Sequence, residues 1–363
     1  MIKNFKIPIN SPNLGKEELK QIMKVYESNW PSEGPVTEKF ETMLSKYLSS
    51  NSVVVNNGSS ALMAAMIANE IKPGDTVIVP DFTFVATSSV AKILGAKVIV
   101  ADVDPDTFNI KSEHVEEIIK KNDVKSVILV DVAGVPADID VFTDLSKDYK
   151  FSLIEDAAQS FGSEYKNKKV GSFEHTTIFS FQIVKQITTI EGGCISTTNE
   201  DIIKKIRRIK DYGRSLHDRY LSESIGTNFR TTDLQSAIGI IQLKKIETHL
   251  KRRNEIASEY RKKIKQLKFQ KIPKYVTKHS NQISFALAKN EQTRNIFVEG
   301  LNKIGIDSRK PWTPIHMQPC NPELSGFHCN NAVEIFKNSL ALPLFNNMKL
   351  SEAKKVINYF NKI

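Results

Sequence analysis

Six short apolar runs rich in β-branched residues punctuate the first half of the chain: SVVV (52–55), TVIV (76–79), KVIV (97–100), SVILV (126–130), FSLIE (151–155) and TIFSF (177–181). Each is bounded by turn-forming residues, the pattern of a buried strand. Between them the periodicity becomes helical, as in SALMAAMIANEI (60–71) after the first run and FVATSSVAKIL (84–94) after the second. Strands alternating with helices predict a mainly parallel sheet covered on both faces. From about residue 245 the pattern changes. Ile246, Leu250, Ala257, Tyr260, Ile264 and Leu267 fall on one stripe of a long basic helix, and short mixed elements follow, KHSNQISFALA (278–288) and TRNIFVEGLNKIGI (293–306) among them. The chain therefore reads as a large α/β domain, residues 1–244, followed by a smaller C-terminal α+β domain, residues 245–363, with no internal repeat.

At 363 residues, with 40% hydrophobic and 25% charged residues, the composition is that of a folded globular protein with room for a buried site. The opening stretch MIKNFKIPINSPNLGKEEL has no apolar leader, and no later run approaches the ~18 to 20 apolar residues that a bilayer crossing takes. A cytoplasmic protein with no membrane partner is expected. Three cysteines, Cys194, Cys320 and Cys329, suit a reducing compartment better than a disulfide framework. Cys320 and Cys329 lie near His316 and His328 in sequence, but the spacing lacks paired C-x-x-C hooks, so core-type thiols and no metal are expected.

The formal charge of +10 is concentrated in KKIRRIK (204–210), KK (244–245), KRR (251–253) and RKKIK (261–265). Beside the apolar stripe these basic residues read as solvated helix faces, and no nucleic-acid-binding motif accompanies them, so no nucleic-acid partner is expected. A basic surface does concentrate anionic small molecules, nucleotide-linked ones included.

In an open parallel sheet, ligands sit beyond the carboxyl ends of the strands. After SVVV comes Asn56-Asn57-Gly58-Ser59-Ser60 and then a strong helix former series, ALMAAM. A glycine and two hydroxyls at a helix start offer free N–H groups and the positive end of the dipole to a phosphate. Taken alone, Ser59 or Ser60 is as well explained as a helix cap. After FSLIE comes Asp156-Ala157-Ala158-Gln159, a carboxylate and an amide at a strand end, and Asp156 alone could also be a cap. Lys185 changes the weighing. It follows TIFSF within a segment too apolar to be a solvated surface, where an amine either snorkels out or is kept for its nucleophilicity. Phosphate site, strand-end carboxylate and lysine together are the parts that hold pyridoxal 5′-phosphate.

NNGSSAL, PDFTFVAT, DVDPDTFNI, IEDAAQSFG, FSFQIVKQITTIEGG, GTNFRTTDLQSAIGIIQL, KPWTPIH and LALPLF resemble, in order, the motifs of the DegT/DnrJ/EryC1/StrS aminotransferases. These are fold-type I pyridoxal-phosphate enzymes that aminate nucleotide-linked keto sugars, and the resemblance covers nearly the whole chain. It implies that Lys185 binds the cofactor covalently and carries the proton between substrate carbons. It implies that Asp156 pairs with the pyridinium nitrogen and Gln159 with the ring hydroxyl oxygen. Ser59, Ser60 and Ser180 would hold the phosphate, and Phe84 would stack on the ring. Asn228 of GTNFR would reach the phosphate of a neighbouring subunit, so each site would need a homodimer. Arg230, His316 and Trp30 are the expected substrate contacts.

Two positions depart from the family pattern: Gln182 stands where a histidine is frequent, and Ile190 where a glycine is frequent. Members acting on cyclitol or aminobenzoate precursors sometimes carry glutamine at the first position. A related dehydratase branch replaces the lysine with histidine, and Lys185 speaks against that branch. The resemblance thus implies a ping-pong aminotransferase with glutamate or glutamine as donor. Its acceptor would be a nucleotide-linked 3- or 4-keto-6-deoxy sugar, in glycan or surface-polysaccharide synthesis. A cyclitol or aminobenzoate-pathway enzyme, and a non-enzymatic regulator that binds the same cofactor, are the rival readings.

Overall fold

All six apolar runs form strands of one seven-stranded sheet in the computed structural model, which describes residues 5–215, 217–218 and 220–363. They are β1 (Asn51–Val55), β2 (Thr76–Pro80), β3 (Lys97–Ala101), β4 (Val124–Val130), β5 (Ser152–Asp156) and β8 (Thr176–Ser180). The seventh is β9 (Gly193–Thr197), and the order is β1-β9-β8-β5-β4-β2-β3. Neighbours from β8 to β3 run parallel, joined by crossovers that contain helices such as Ala86–Ile93 and Ser112–Ile119. Burial on both faces explains why these strands read as continuous apolar runs rather than alternating ones.

β9 breaks the pattern, because it runs antiparallel to both β1 and β8. The sequence GCIST gave no strand signal, since only Ile195 is β-branched and aliphatic. Its polar side chains are satisfied by tertiary partners instead: Ser196 Oγ donates to Gly171 O (2.8 Å) and Thr197 Oγ1 to Glu174 O (2.6 Å). All five residues of the strand are buried.

A 31-residue helix, Asp233–Lys263, starts at a capping box formed by Thr232 and Gln235 and runs unbroken across residues 244 and 245. Its first half packs with Phe40, Leu44 and Phe181 against the sheet. Its second half joins another core with Phe297, Leu301, Val356 and Phe360, to which Ile7 from the N-terminal segment also contributes. That core lies on β10 (Lys268–Phe269), β12 (Ser284–Leu287) and β13 (Ser339–Leu342), a three-stranded antiparallel sheet. A third small sheet pairs β6 (Glu164–Tyr165) with β7 (Lys168–Lys169) and β11 (Val276–Lys278).

The six residues from Ile246 to Leu267 are all buried, but the helix ends at Lys263, so Ile264 and Leu267 reach the core from the loop that follows rather than from the helical stripe. Two basic residues read as solvated are not. Lys210 is buried between Glu33 Oε1 (2.9 Å) and Glu41 Oε1 (3.3 Å). Arg253 is fully buried and spends its guanidinium on Asn346 and on three backbone carbonyls. A charge goes inside only where hydrogen-bond partners replace water, and these partners lie far away in sequence.

Candidate active site

β1 ends at Val55, and two residues later Asn57 caps the helix Gly58–Ala68 by accepting the amide of Ser60 (2.8 Å). The first amides of any helix lack an intrahelical acceptor, so this start presents N–H donors to the edge of the sheet. A Cβ on Gly58 would lie 2.9 Å from Ser180 Cβ and 3.1 Å from Ser180 Oγ. One on Gly193 would lie 2.4 Å from the Asn57 carbonyl. Glycine at these two points brings the ends of β8 and β9 against the helix start. Ser59 is exposed, and Ser60 and Ser180 are nearly buried beside it.

β5 ends on Asp156, in register with Val130 of β4 and Ile178 of β8. Its carboxylate accepts from Thr87 Oγ1 (3.2 Å) and from the Ala158 amide (3.2 Å). Burial raises the Asp156 carboxyl above its ordinary range, opposed by the Ala158 N–H, by the charge of Lys185 and by Thr87. Strand alternation sends the preceding Glu155 to the opposite face, where it accepts from Thr177 Oγ1 (3.0 Å) and pairs with His175 Nε2 (3.0 Å).

Lys185 sits in the loop between β8 and β9, half-buried. Burial pulls its amine down to about 8, against a smaller upward pull from the Asp156 carboxylate. The structure thus brings an activated amine, a carboxylate and an N–H-rich helix start to one sheet edge. Gln159 adjoins them, its Oε1 taking the Ala133 amide (2.9 Å). Phe84, between β2 and the helix Ala86–Ile93, keeps 55% of its surface exposed.

A model of the DegT/DnrJ/EryC1/StrS aminotransferase family matches residues 12–361. The chain belongs to this family. It is a pyridoxal-phosphate-dependent aminotransferase. Among its relatives is the spore coat polysaccharide biosynthesis protein SpsC of Bacillus subtilis (strain 168), 31% identical with 98% of this chain and 96% of that one covered. The GDP-perosamine synthase of Caulobacter vibrioides is 29% identical, with 99% and 98% covered. A solved structure of Helicobacter pylori PseC, an aminotransferase involved in the biosynthesis of pseudoaminic acid, superposes with a TM-score of 0.91 at 27% identity, covering 98% of each chain.

The other residues expected at the site of this DegT-family enzyme are more scattered. Asn228 is exposed, with the Arg230 amide donating to its Oδ1 (3.2 Å), and the neighbouring Phe229 carbonyl accepts the Asn56 amide (2.9 Å). Arg230 forms an ion pair with Asp211 and lies over the Tyr212 ring, so an incoming anion would compete with Asp211. Trp30 is exposed beside the bridge from Ser32 to Thr232, and its indole N–H donates to Glu33 O (3.2 Å).

His316 is paired through Nδ1 with Asp81 Oδ2 (2.6 Å), while its amide donates to Asp81 Oδ1 (2.8 Å). Asp81 is fully buried just past β2, three residues before Phe84. Cys329 completes a trio whose ligand atoms lie within 4.8 Å of one another, two of its members being joined by the His316–Asp81 hydrogen bonds. Cys320 and His328 stay exposed outside it, and burial pushes the Cys329 thiol up.

Thr87 was not singled out by sequence reasoning, although it stands inside the motif PDFTFVAT. Its role is visible only once β5 delivers Asp156 next to it. The Asp81–His316 pair spans 235 residues, and no local pattern announces it.

Both departures from the family pattern have a local structural setting. Gln182 Oε1 accepts the Val184 amide (3.0 Å), capping its own loop. Ile190 has φ +72°, the left-handed region that glycine takes without cost. A β-branched residue there costs about 1–2 kcal/mol, and glycine gives back roughly 0.5–1 kcal/mol through its looser unfolded chain. Ile190→Gly is therefore expected to stabilise the fold by up to about 1 kcal/mol in urea melts. Ile190→Ala, which keeps a Cβ, should gain less; a glycine variant less stable than wild type would show that the half-exposed Ile190 side chain contributes more than the left-handed backbone costs.

Proposed function

We propose that the enzyme transfers an amino group from glutamate or glutamine to a nucleotide-linked keto sugar, of the 3- or 4-keto-6-deoxy class, in the cytoplasm. The observation that carries the chemistry is the lowered amine of Lys185 beside Asp156 and the helix start at Gly58. The sugar class rests on the names of relatives covered along their full length, GDP-perosamine synthase and PseC. Three free thiols, two of them buried, favour a reducing compartment.

The residues fit pyridoxal 5′-phosphate. Ser59, Ser60 and Ser180 would take the phosphate with the first helix amides, where the dipole favours an anion. Asp156, held by Thr87 and Ala158, would face the ring nitrogen, and Gln159 the ring oxygen. The open face of Phe84 would cover the ring. When bound, the cofactor supplies a carbonyl that condenses with amines and a ring that accepts electrons.

Lys185 Nζ, partly neutral near pH 7, serves as nucleophile and then carries a proton from one substrate atom to the next. His316, oriented by Asp81, offers its free Nε2 to a sugar hydroxyl, while Trp30 and Arg230 would meet the nucleotide part.

A homodimer completes the proposal. Leu19, Met23 and Tyr26 on the helix Lys16–Glu27 are exposed, and so are Trp30, Tyr220 (98%) and Ile225 (93%). Leu19, Met23 and Tyr26 fall at i, i+4 and i+7 on one face of that helix, an exposed apolar stripe of the kind a partner subunit covers. Asn228 would then reach the cofactor phosphate of the neighbouring subunit. If so, mixing Lys185→Ala and Asn228→Ala subunits creates one doubly damaged site and one intact site per heterodimer. Activity above the mean of the two parents is expected once mixed tags verify exchange. Activity at that mean would place Asn228 in the service of its own chain or of no cofactor at all.

The substrate is tested by assaying nucleotide-linked keto sugars, a keto cyclitol and an aminobenzoate precursor for glutamate- or glutamine-dependent amination. NMR of the product fixes the aminated carbon. Turnover of the cyclitol or aminobenzoate precursor with no sugar accepted would overturn the sugar assignment.

A further inference from the structure

Lys185 is flanked by two backbone carbonyls, and both are held by side chains distant in sequence. Val184 O accepts from Asn10 Nδ2 (2.8 Å) and Gln282 Nε2 (3.0 Å). Gln186 O accepts from Asn346 Nδ2 (2.9 Å). It also lies 3.1 Å from His249 Nδ1. The same Nδ1 lies 3.1 Å from Asn346 Nδ2, and His249 Nε2 meets Asn13 Nδ2 (3.2 Å). Burial keeps this imidazole neutral by lowering its pKa to about 4.

The Gln186 side chain, fully buried, fastens the same loop to the Asp156 side of the site. Its Nε2 donates to Gln159 O (2.5 Å) and to Ser280 Oγ (2.9 Å). Behind Asn346 stands Arg253, whose Nε donates to Asn346 Oδ1 (2.6 Å). Arg253 Nη1 donates to the carbonyls of Asn281, Gln282 and Leu344, at 3.2, 3.1 and 3.2 Å. A fully buried guanidinium fixed at four points cannot drift, and it sets the orientation of the Asn346 amide. That orientation aims Nδ2 at Gln186 O.

We infer that Asn346, oriented by Arg253, is a positioning residue that fixes the Lys185 amine at the sheet edge by holding the Gln186 carbonyl. The inference rests on Lys185 being the reactive amine. It couples the chemistry to the C-terminal region, because Asn346, Gln282 and Ser280 all lie beyond residue 279 in the chain. A loop carrying only backbone hydrogen bonds to its own neighbours would let the amine wander, and a misplacement of about 1 Å costs on the order of a hundredfold in rate.

Two substitutions in the holoenzyme separate positioning from packing. Asn346→Asp keeps an acceptor for Arg253 Nε but replaces the donor to Gln186 O with an oxygen that repels it. Asn346→Ala loses both contacts. The expected result is that Asp restores the thermal midpoint lost in Ala, yet leaves kcat about ten- to a hundredfold below wild type. KM for the amino donor should move less than about threefold, and the pH titration of the bound cofactor's absorbance should shift.

A purely structural Asn346 predicts otherwise: Asp would recover the midpoint, kcat and absorbance titration together, and that result overturns the inference. Should the Asp variant not fold, Asn346→Ala, which gives up the same donor, is read by the same measurements below its thermal midpoint, with wild-type kcat and titration again the overturning result. Borohydride reduction followed by peptide mass spectrometry reports separately whether the cofactor is fixed to Lys185. Its absence from that peptide in wild type would sink the underlying assignment, whatever the Asn346 variants do.

Discussion

Lys185→Ala is expected to abolish turnover while the protein stays folded. Loss of the general acid–base alone removes about 10²- to 10⁴-fold, and loss of the nucleophile comes on top of it. The fold should survive because burial disfavours the charged amine, and Asp156 keeps its hydrogen bonds from Thr87 and the Ala158 amide when the amine is gone. With the amine at about 8, roughly one lysine in ten is neutral at pH 7, against fewer than about one in a thousand for an ordinary lysine. The rate of amine labelling at Lys185, followed by mass spectrometry in cofactor-stripped protein, should accordingly rise through a midpoint near pH 8. A midpoint in the ordinary lysine range, or multiple turnovers by the alanine variant without added amine, would refute the assignment.

Asp156→Asn should slow the proton-transfer step by about 10²- to 10⁴-fold, with cofactor retention reduced much less. The charge proposed to face the ring nitrogen is lost, whereas the proposed phosphate site at Gly58 to Ser60 is untouched. The stability change has a definite sign. The Asp156 carboxyl is raised above its ordinary range when folded, so the folded protein holds its proton more tightly than the unfolded chain does. Its contribution is full below the ordinary carboxylate pKa and is lost as pH rises through the raised value. A neutral amide escapes that loss, so the variant should be at least as stable as wild type at pH 8 in thermal melts. The Lys185 labelling midpoint should fall below its wild-type value, because the Asp156 carboxylate is what pulls it upward. Unchanged kinetics would reduce Asp156 to a cap of the turn that follows β5.

The sequence by itself determined the parallel part of the sheet and the positions of its chemical groups. Runs such as TVIV and SVILV are buried on both faces, so the hydrophobic effect alone writes them as continuous apolar stretches. A parallel sheet delivers all its carboxyl ends to one edge, which is why Asp156, the start at Gly58 and the loop of Lys185 could be assigned to one place from strand ends alone. The family motifs then named their partners.

What the sequence did not determine are the features whose signal is polar or long-range. β9 has the composition of a loop and becomes a strand because Gly171 and Glu174 carbonyls wait for its hydroxyls. Arg253 and Lys210 sit in basic runs that look solvated, and only the meeting of distant chain segments supplies the carbonyls and carboxylates that let them be buried. The same holds for Asn346 above the Lys185 loop and for Asp81 behind His316. Apolar burial is encoded residue by residue through periodicity, whereas a buried hydrogen bond exists only between two groups brought together, and it is tertiary structure that brings them.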